Sequence, residues 1–172
     1  MKREQLFMVF DVESIGLHGC DFAVGWVVVN GYGHEVQHGL LACEFNETFG
    51  TPESLKWVKE NCPELKATHS CPVEMRDAFW RQWQDWKVQG ALLVSDCGWP
   101  VEARFLIQCI DEHLKIREWQ GPYPLHDLAS ILLSHGKDPL QKFDRKENEL
   151  PIHNPLADAR QSARILIENL YA

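Results

Sequence analysis

Five residues of this chain have the types and spacing that metal-assisted hydrolysis requires, and four of them are acids. Asp11 and Glu13 lie two residues apart at the end of the apolar run LFMVF. Asp96 ends a second apolar run, ALLVS, and Asp158 follows His153 by five residues in HNPLADAR. Ionised carboxylates are costly to bury without a counter-charge, so these acids predict either cationic partners or a metal ion.

These residue types indicate a two-metal site for phosphoryl transfer. Hard divalent cations prefer oxygen ligands, and Mg²⁺ is usually held by one or two carboxylates together with water and phosphate oxygens. Two such ions about 4 Å apart can clamp an in-line displacement at phosphorus. A neutral histidine such as His153 is a suitable base for the attacking water.

Each motif also has a simpler interpretation. D-x-E occurs often by chance at a solvated strand end, and Asp96 could cap a helix that begins near Pro100. His153 could be an ordinary loop histidine, and Asp158 could occupy the positive end of its own helix. The joint occurrence of the motifs at these structural positions favours the metal site.

The elements that must position these residues follow from the hydrophobic pattern. Strands are predicted over 6–13, 22–29, 35–45, 91–98 and 123–127. Helices are predicted over 52–61, 72–88, from 100, from 128 to about 135, and over 155–170, with a loop at 137–152. This order predicts an α/β protein with a mixed sheet of about five strands, an antiparallel start and flanking helices. Asp11 and Glu13 then share one face of the first strand, at its C-terminal end.

The composition indicates one domain over residues 1–172, with a net charge of −8. This acidity argues against a broad, non-specific grip on duplex nucleic acid. Two bound divalent ions would bring about +4 to a small site and reverse its local sign. No apolar run approaches the roughly 18 residues that span a membrane, so no membrane partner is expected. The start MKREQLF has no apolar signal segment, and we therefore expect a cytoplasmic protein.

Together the three acidic motifs resemble the DEDDh family of 3′–5′ exonucleases, which includes RNase T, oligoribonuclease and the proofreading subunit of the bacterial replicative polymerase. FDVESIGL is similar to the first family motif, LLVSDCGWPVEARFL to the second and HNPLADAR to the third, H-x4-D. Asn154 stands where a sister class has tyrosine, which favours the histidine class. Ile15 departs from the threonine that family members often carry. The motifs span nearly the whole chain.

The resemblance implies a ribonuclease H-like fold and a role for each motif residue. Asp11, Glu13 and Asp158 would hold one divalent cation, Mg²⁺ or Mn²⁺. Asp11 would bridge to a second such cation, which Asp96 would support directly or through water, and His153 would deprotonate the attacking water. The implied activity is a metal-dependent 3′–5′ exonuclease that releases 5′-mononucleotides from 3′ ends of single-stranded RNA or DNA, with RNA slightly favoured.

The resemblance also implies a pocket for the terminal nucleotide. Ser14, Gly16 and Leu17 would line it, with Leu17 packing on a base and Gly16 allowing a close backbone approach. Trp57 could stack on a base or pack in the core. The loop at 137–152 carries basic residues that could touch phosphates or remain solvated.

Several alternatives stay open from the sequence. The helical stripe of Phe79, Trp83 and Trp86 fits a core-facing helix, a base-stacking platform or a homodimer surface. A catalytically weak nucleic-acid-binding module on the same fold is a second candidate function. A third is a ribonuclease H-like endonuclease, which does not require the histidine of H-x4-D.

Overall fold

A five-stranded mixed sheet forms the centre of the protein. The computed structural model describes residues 2–44 and 50–171. The strands are β1 (Leu6–Ser14), β2 (Asp21–Asn30), β3 (Glu35–Ala42), β4 (Leu92–Ser95) and β5 (His126–Asp127). Their order in the sheet is β3-β2-β1-β4-β5, with antiparallel pairing among the first three strands and parallel pairing of β1 with β4 and of β4 with β5. The predicted mixed sheet with an antiparallel start is confirmed.

Helices cover both faces of this sheet. They are α1 (Pro52–Asn61), α2 (Pro72–Val88), α3 (Ala103–Asp111), α4 (Leu114–Arg117), α5 (Leu128–Ser134) and α6 (Pro155–Leu170). An irregular turn at Gly98–Glu102 precedes α3, and a short 3₁₀ turn at Glu147–Glu149 lies in the loop before α6. In the part of the chain that the structure describes, every helix is too short or too polar to cross a membrane.

The predicted helix starts agree with the structure where a capping side chain was identified. Thr51 accepts a hydrogen bond from the Ser54 N–H at the start of α1. Asn154 accepts hydrogen bonds from the N–H groups of Leu156 and Ala157 at the start of α6. These bonds satisfy N–H groups that the first turn of a helix leaves without partners.

The alternation of side chains along β1 divides the core into two layers. Phe10 lies on one face and packs with the buried stripe of α2, Phe79, Trp83 and Trp86. Val9 lies on the other face and packs with α5 and α6. The core-facing interpretation of the α2 stripe is therefore confirmed, and the stripe is not available to a partner subunit or a base. Asp11 and Glu13 continue the Val9 face.

Three predicted boundaries differ from the structure. The third strand ends at Ala42, and its predicted end at residue 45 lies outside the described residues. The fourth strand ends at Ser95, and the fifth contains only two residues, with helix α4 before it.

The helix predicted to begin at Pro100 starts with an irregular turn. Trp99 is extended (φ −133°, ψ 140°), the conformation favoured before proline, and the backbone becomes helical after it. The regular part of this helix, α3, begins at Ala103.

Gly25 controls how closely α6 approaches the sheet. It pairs directly with Asp11 across β1 and β2. A Cβ atom at this position would lie 2.2 Å from the backbone nitrogen of Leu156. The first turn of α6 therefore packs directly against the backbone of β2. This turn carries Asp158 towards the acids of β1.

Candidate active site

Three predicted site residues converge at the C-terminal end of β1. One ligand atom from each of Glu13, His153 and Asp158 lies within 4.8 Å of the other two. Glu13 comes from the strand, Asp158 from the first turn of α6, and His153 from the segment just before that helix. The sequence placed these residues in two motifs about 140 residues apart, and the fold brings them to one rim.

His153 is held in an unusual backbone conformation at this rim. Its φ angle is +61°, which is uncommon for any residue other than glycine. Its backbone N–H donates to Oδ2 of Asp158 at 3.0 Å, and its Nδ1 lies 3.6 Å from Oε1 of Glu13. Its ring packs edge-on against Trp57, with ring centroids 4.8 Å apart. The imidazole is therefore oriented by contacts on two sides.

Asp11 is the acid with the least compensation. Its Oδ2 atom is buried and has no hydrogen-bond partner among the described residues. Burial raises the pKa of Asp11 well above its ordinary value, and four neighbouring acids raise it further; in decreasing order they are Glu102, Asp158, Glu13 and Asp96. All of the predicted acids thus lie close enough for their charges to act on Asp11.

The surroundings of Glu13 also disfavour its charged form. Its side chain is 8% exposed, and burial together with the charge of Asp158 raises its pKa to about 8. The thiol of Cys62 contacts Oε2 of Glu13 with an S–O distance of 3.7 Å. Burial and the Glu13 charge raise the pKa of Cys62 to about 12, so this residue donates as a thiol. No pattern in the sequence indicated a place for Cys62 in this site.

Asp96 lies at the outer edge of the cluster. Its side chain is accessible to solvent, and its backbone carbonyl accepts the Ala129 N–H at the start of α5. The surrounding protein and the charges of Asp158 and Asp127 raise its pKa, and a hydrogen bond from Ser162 opposes this shift. Asp96 does not cap the helix after Pro100, so that simpler interpretation is wrong.

Glu102 is a buried acid that the sequence reasoning did not single out. It is 7% exposed and ends the irregular turn before α3. Burial raises its pKa to about 7, and the charges of Asp96 and Asp127 contribute. A signal was available, because Glu102 shares an i, i+3, i+4 stripe with the buried Phe105 and Leu106. A glutamate on such a stripe needs a specific reason to be buried.

Arg145 brings the only positive charge that contacts these acids directly within residues 2–44 and 50–171. Its Nη1 donates to Oδ1 of Asp158 and to the backbone carbonyl of Glu149. Glu149 is itself buried and forms a two-point ion pair with Arg164 of α6. The loop before His153 is therefore anchored to α6, and its arginine faces the acids.

The predicted substrate-binding residues lie beside this cluster. Ser14 donates to the Gly16 carbonyl at 2.8 Å, and Gly16 has a φ of +73° with its Cα facing Ser54 of α1. Leu17 is 65% exposed, so its apolar side chain is open to a ligand. Trp57 contacts the His153 ring and is 45% exposed to solvent, so the alternative that it packs in the core is wrong.

The donor set fits hard divalent cations. Apart from His153, every ligand atom in the cluster is a carboxylate oxygen, the type that Mg²⁺ and Mn²⁺ prefer. Oδ2 of Asp11 has no hydrogen-bond partner, and burial, followed by the charge of Asp158, raises the pKa of Glu13 to about 8. A divalent ion is the simplest counter-charge for these acids.

Comparisons with known proteins give structural similarity and no sequence match. No family model matches the chain, and no curated protein matches it. A zinc-bound complex of E. coli exonuclease I with single-stranded DNA is similar with a TM-score of 0.62 and 11% identity, over 95% of this chain and 40% of that one. Exonuclease I from Methylocaldum szegediense gives 0.61 and 13%, over 95% and 40%. A 3′-exonuclease that recognises the histone mRNA stem-loop gives 0.55 and 14%, over 99% and 83%.

These similarities establish the fold. The chain spans about two fifths of the length of the exonuclease I chains, and most of the length of the histone mRNA 3′-exonuclease. The sheet with its flanking helices is the ribonuclease H-like type that the resemblance implied, and the neighbours are 3′-exonucleases. At these low identities the roles of individual residues depend on the geometry of this chain.

Proposed function

We propose that this protein is a metal-dependent 3′–5′ exonuclease that hydrolyses the terminal phosphodiester bond of single-stranded nucleic acid. The observation that carries the proposal is the convergence of Glu13, His153 and Asp158 within 4.8 Å, beside the buried and unpartnered carboxylate oxygen of Asp11. Similar folds belong to exonucleases that bind single-stranded DNA and an mRNA stem-loop, which supports this reaction over other phosphoryl transfers.

The residues of the chain have distinct tasks in this proposal. Asp11, Glu13 and Asp158 would hold the divalent cations, and Asp96 would support the second cation directly or through water. The cations would supply charge neutralisation at the phosphate and activation of the attacking water. His153 accepts the proton of that water, because its ring borders the acids and is partly open to solvent. The bond to the 3′-terminal nucleotide breaks, and a 5′-mononucleotide leaves.

The surface around the acids accommodates the end of a single strand. Leu17 lies three residues after the end of β1 and Trp57 contacts the His153 ring, and both are exposed apolar side chains on which a base can pack. Gly16 has a positive φ, and a Cβ atom there would lie 3.2 Å from Cβ of Ser54, so the position favours glycine and leaves its backbone open to a nucleotide. We assign these residues to the terminal nucleotide.

The site is proposed to bind two divalent cations, which are Mg²⁺ or Mn²⁺ because the donor atoms of its acids are hard oxygens. RNA is slightly favoured over DNA as the substrate. A homodimer would have to use a surface other than the α2 stripe, since Phe79, Trp83 and Trp86 are buried.

A panel of labelled substrates tests the function. A 5′-labelled single-stranded RNA, the matching DNA and a two-nucleotide RNA are each incubated with Mg²⁺, Mn²⁺ or EDTA. We expect a ladder that shortens from the 3′ end, mononucleotide products, and complete loss of activity in EDTA. A faster ladder with RNA than with DNA would support the RNA preference.

The controls separate this function from its alternatives. Asp158→Asn should abolish the ladder, whereas Glu118→Gln, an isosteric change at an exposed acid outside the site, should retain it. Internal fragments in place of a ladder would indicate an endonuclease. Binding of the oligonucleotide without any cleavage would indicate a nucleic-acid-binding module and would refute the proposal.

A further inference from the structure

The guanidinium of Arg145 lies against the acid cluster and uses only part of its hydrogen-bonding capacity there. Its Nη1 donates to Oδ1 of Asp158 and to the backbone carbonyl of Glu149. In the part of the chain that the structure describes, its Nε and Nη2 have no hydrogen-bond partner. A guanidinium presents its N–H donors as a planar fork that matches two oxygens of a carboxylate or a phosphate. The side chain is 18% exposed, so the remaining donors are accessible to a ligand.

The main chain on both sides of Arg145 is bound to α6. Before it, the backbone carbonyl of Asp144 accepts from Nη2 of Arg164 at 2.8 Å. After it, the N–H of Lys146 donates to Oε2 of Glu149 at 3.0 Å, and both carboxylate oxygens of Glu149 accept from Arg164, at 2.7 and 2.9 Å. These bonds keep the guanidinium beside the acids and leave only the side chain to reorient.

The pairing with Asp158 conflicts with the task that the proposed function gives to this acid. Arg145 holds Oδ1 of Asp158, and the backbone N–H of His153 holds Oδ2 at 3.0 Å. Arg145 and a divalent cation therefore compete for the same carboxylate. Once a cation is bound there, the guanidinium is repelled by it, because two positive charges a few ångströms apart repel. Since the backbone keeps Arg145 nearby, an anion between the two would stabilise the arrangement.

The reaction itself brings such an anion to this place. The phosphate of the 3′-terminal nucleotide must lie against the cations, and arginine binds phosphate oxygens through paired N–H donors. Water attacks phosphorus, and the bond to the 3′ oxygen of the preceding nucleotide breaks. The phosphorus therefore stays on the released mononucleotide as its 5′-phosphate, so the product carries the group that Arg145 would hold.

We infer that Arg145 is a catalytic residue of the proposed reaction, which pairs with Asp158 before the cations bind and with a non-bridging oxygen of the scissile phosphate afterwards. The inference rests on the proposed exonuclease function and adds a phosphate ligand to the residues assigned above. The positive charge of Arg145 would offset the negative charge that develops on the phosphate oxygens in the transition state.

Binding of 5′-AMP to the full chain tests the phosphate contact without using catalysis. Isothermal titration calorimetry in saturating Mn²⁺ compares the wild type with Arg145→Gln, Arg145→Lys and the control Lys142→Gln, which removes an exposed positive charge from the same loop. We expect Arg145→Gln to weaken 5′-AMP binding at least about tenfold, because hydrogen bonds to a charged group are lost. Arg145→Lys should lie between, since lysine keeps the charge without the fork. Lys142→Gln should match the wild type.

Adenosine separates loss of the phosphate contact from general damage to the site. It has the base and the ribose of 5′-AMP but no phosphate, so Arg145→Gln should bind it as the wild type does. A titration with Mn²⁺ alone verifies that the site of Arg145→Gln is folded, because the variant should then bind the ion at least as tightly as the wild type.

The inference is overturned if Arg145→Gln binds 5′-AMP as tightly as the wild type, or if it loses as much affinity for adenosine as for 5′-AMP. An equal loss of 5′-AMP affinity in Lys142→Gln would also overturn it, because any positive charge of the loop would then suffice. If the expected ranking holds but the wild type degrades no strand, the phosphate contact stands and the proposed exonuclease function fails.

Discussion

Replacement of Glu13 by glutamine should flatten the pH dependence of stability in the metal-free protein. Glu13 has a pKa raised from 4.5 to about 8 in the folded state by burial and by Asp158. Between these two values the folded state binds more protons than the unfolded state, so the free energy of unfolding falls as the pH rises. Each pH unit in this window lowers the free energy of unfolding by about 1.4 kcal/mol, and the whole window lowers it by about 3–5 kcal/mol.

Urea denaturation in EDTA at pH 5 and pH 8.5 measures this effect. We expect the wild type to lose about 3–5 kcal/mol more stability than Glu13→Gln between the two pH values. Because the Glu13 charge also raises the pKa of Asp11, the variant relieves both acids. Parallel loss of stability in the two proteins would refute the view that mutual repulsion of these carboxylates destabilises the site. Mn²⁺ at pH 8.5 should restore stability to the wild type and less to the variant.

Three further predictions concern the residues around the acids. His153→Ala should lower the turnover number about 100-fold or more while Mn²⁺ affinity in calorimetry changes little, and an unchanged rate would exclude His153 as the base. Trp57→Ala should raise the KM for a single strand by about tenfold, because about 1–3 kcal/mol of stacking is lost, whereas Trp57→Phe should retain most of the affinity. The same KM for Trp57→Ala as for the wild type would exclude stacking. Arg145→Gln should strengthen Mn²⁺ binding about fivefold, because the arginine repels the cation by about 1 kcal/mol and competes with it for Asp158. Arg145→Lys keeps the charge and should bind Mn²⁺ as the wild type does. Weaker Mn²⁺ binding by Arg145→Gln would contradict this prediction.

The sequence allowed the fold to be predicted where each element carries a local signal. Proline at the first helical position marked the starts of α1 and α6, and continuous apolar runs marked β1 and β2. The acids of β1 and α6 could be placed at one rim because strand ends and helix starts meet there in α/β sheets. The ends of β4 and β5 were wrong because irregular backbone has no periodicity to detect.

The rest of the site depends on contacts between distant segments. Arg145 reaches Asp158 because Glu149 and Arg164 anchor its loop, and neither pairing has a sequence spacing that indicates it. Cys62 contacts Glu13 through the position of α1 over the end of β1. The burial of Glu102 is the exception, because its place on an apolar helical stripe with Phe105 and Leu106 is visible in the sequence.

The absence of a side chain at Gly25 has a consequence for ion selectivity. The width of the gap between Asp11 and Asp158 is fixed by main-chain contact between β2 and α6, because a Cβ atom at residue 25 would collide with Leu156. Protein sites discriminate Mg²⁺ from the larger Ca²⁺ through cavity size and rigidity. Gly25, which has no side chain, thus sets the width of the cation site. Gly25→Ala, which adds a single methyl group, should shift the ion preference towards Ca²⁺.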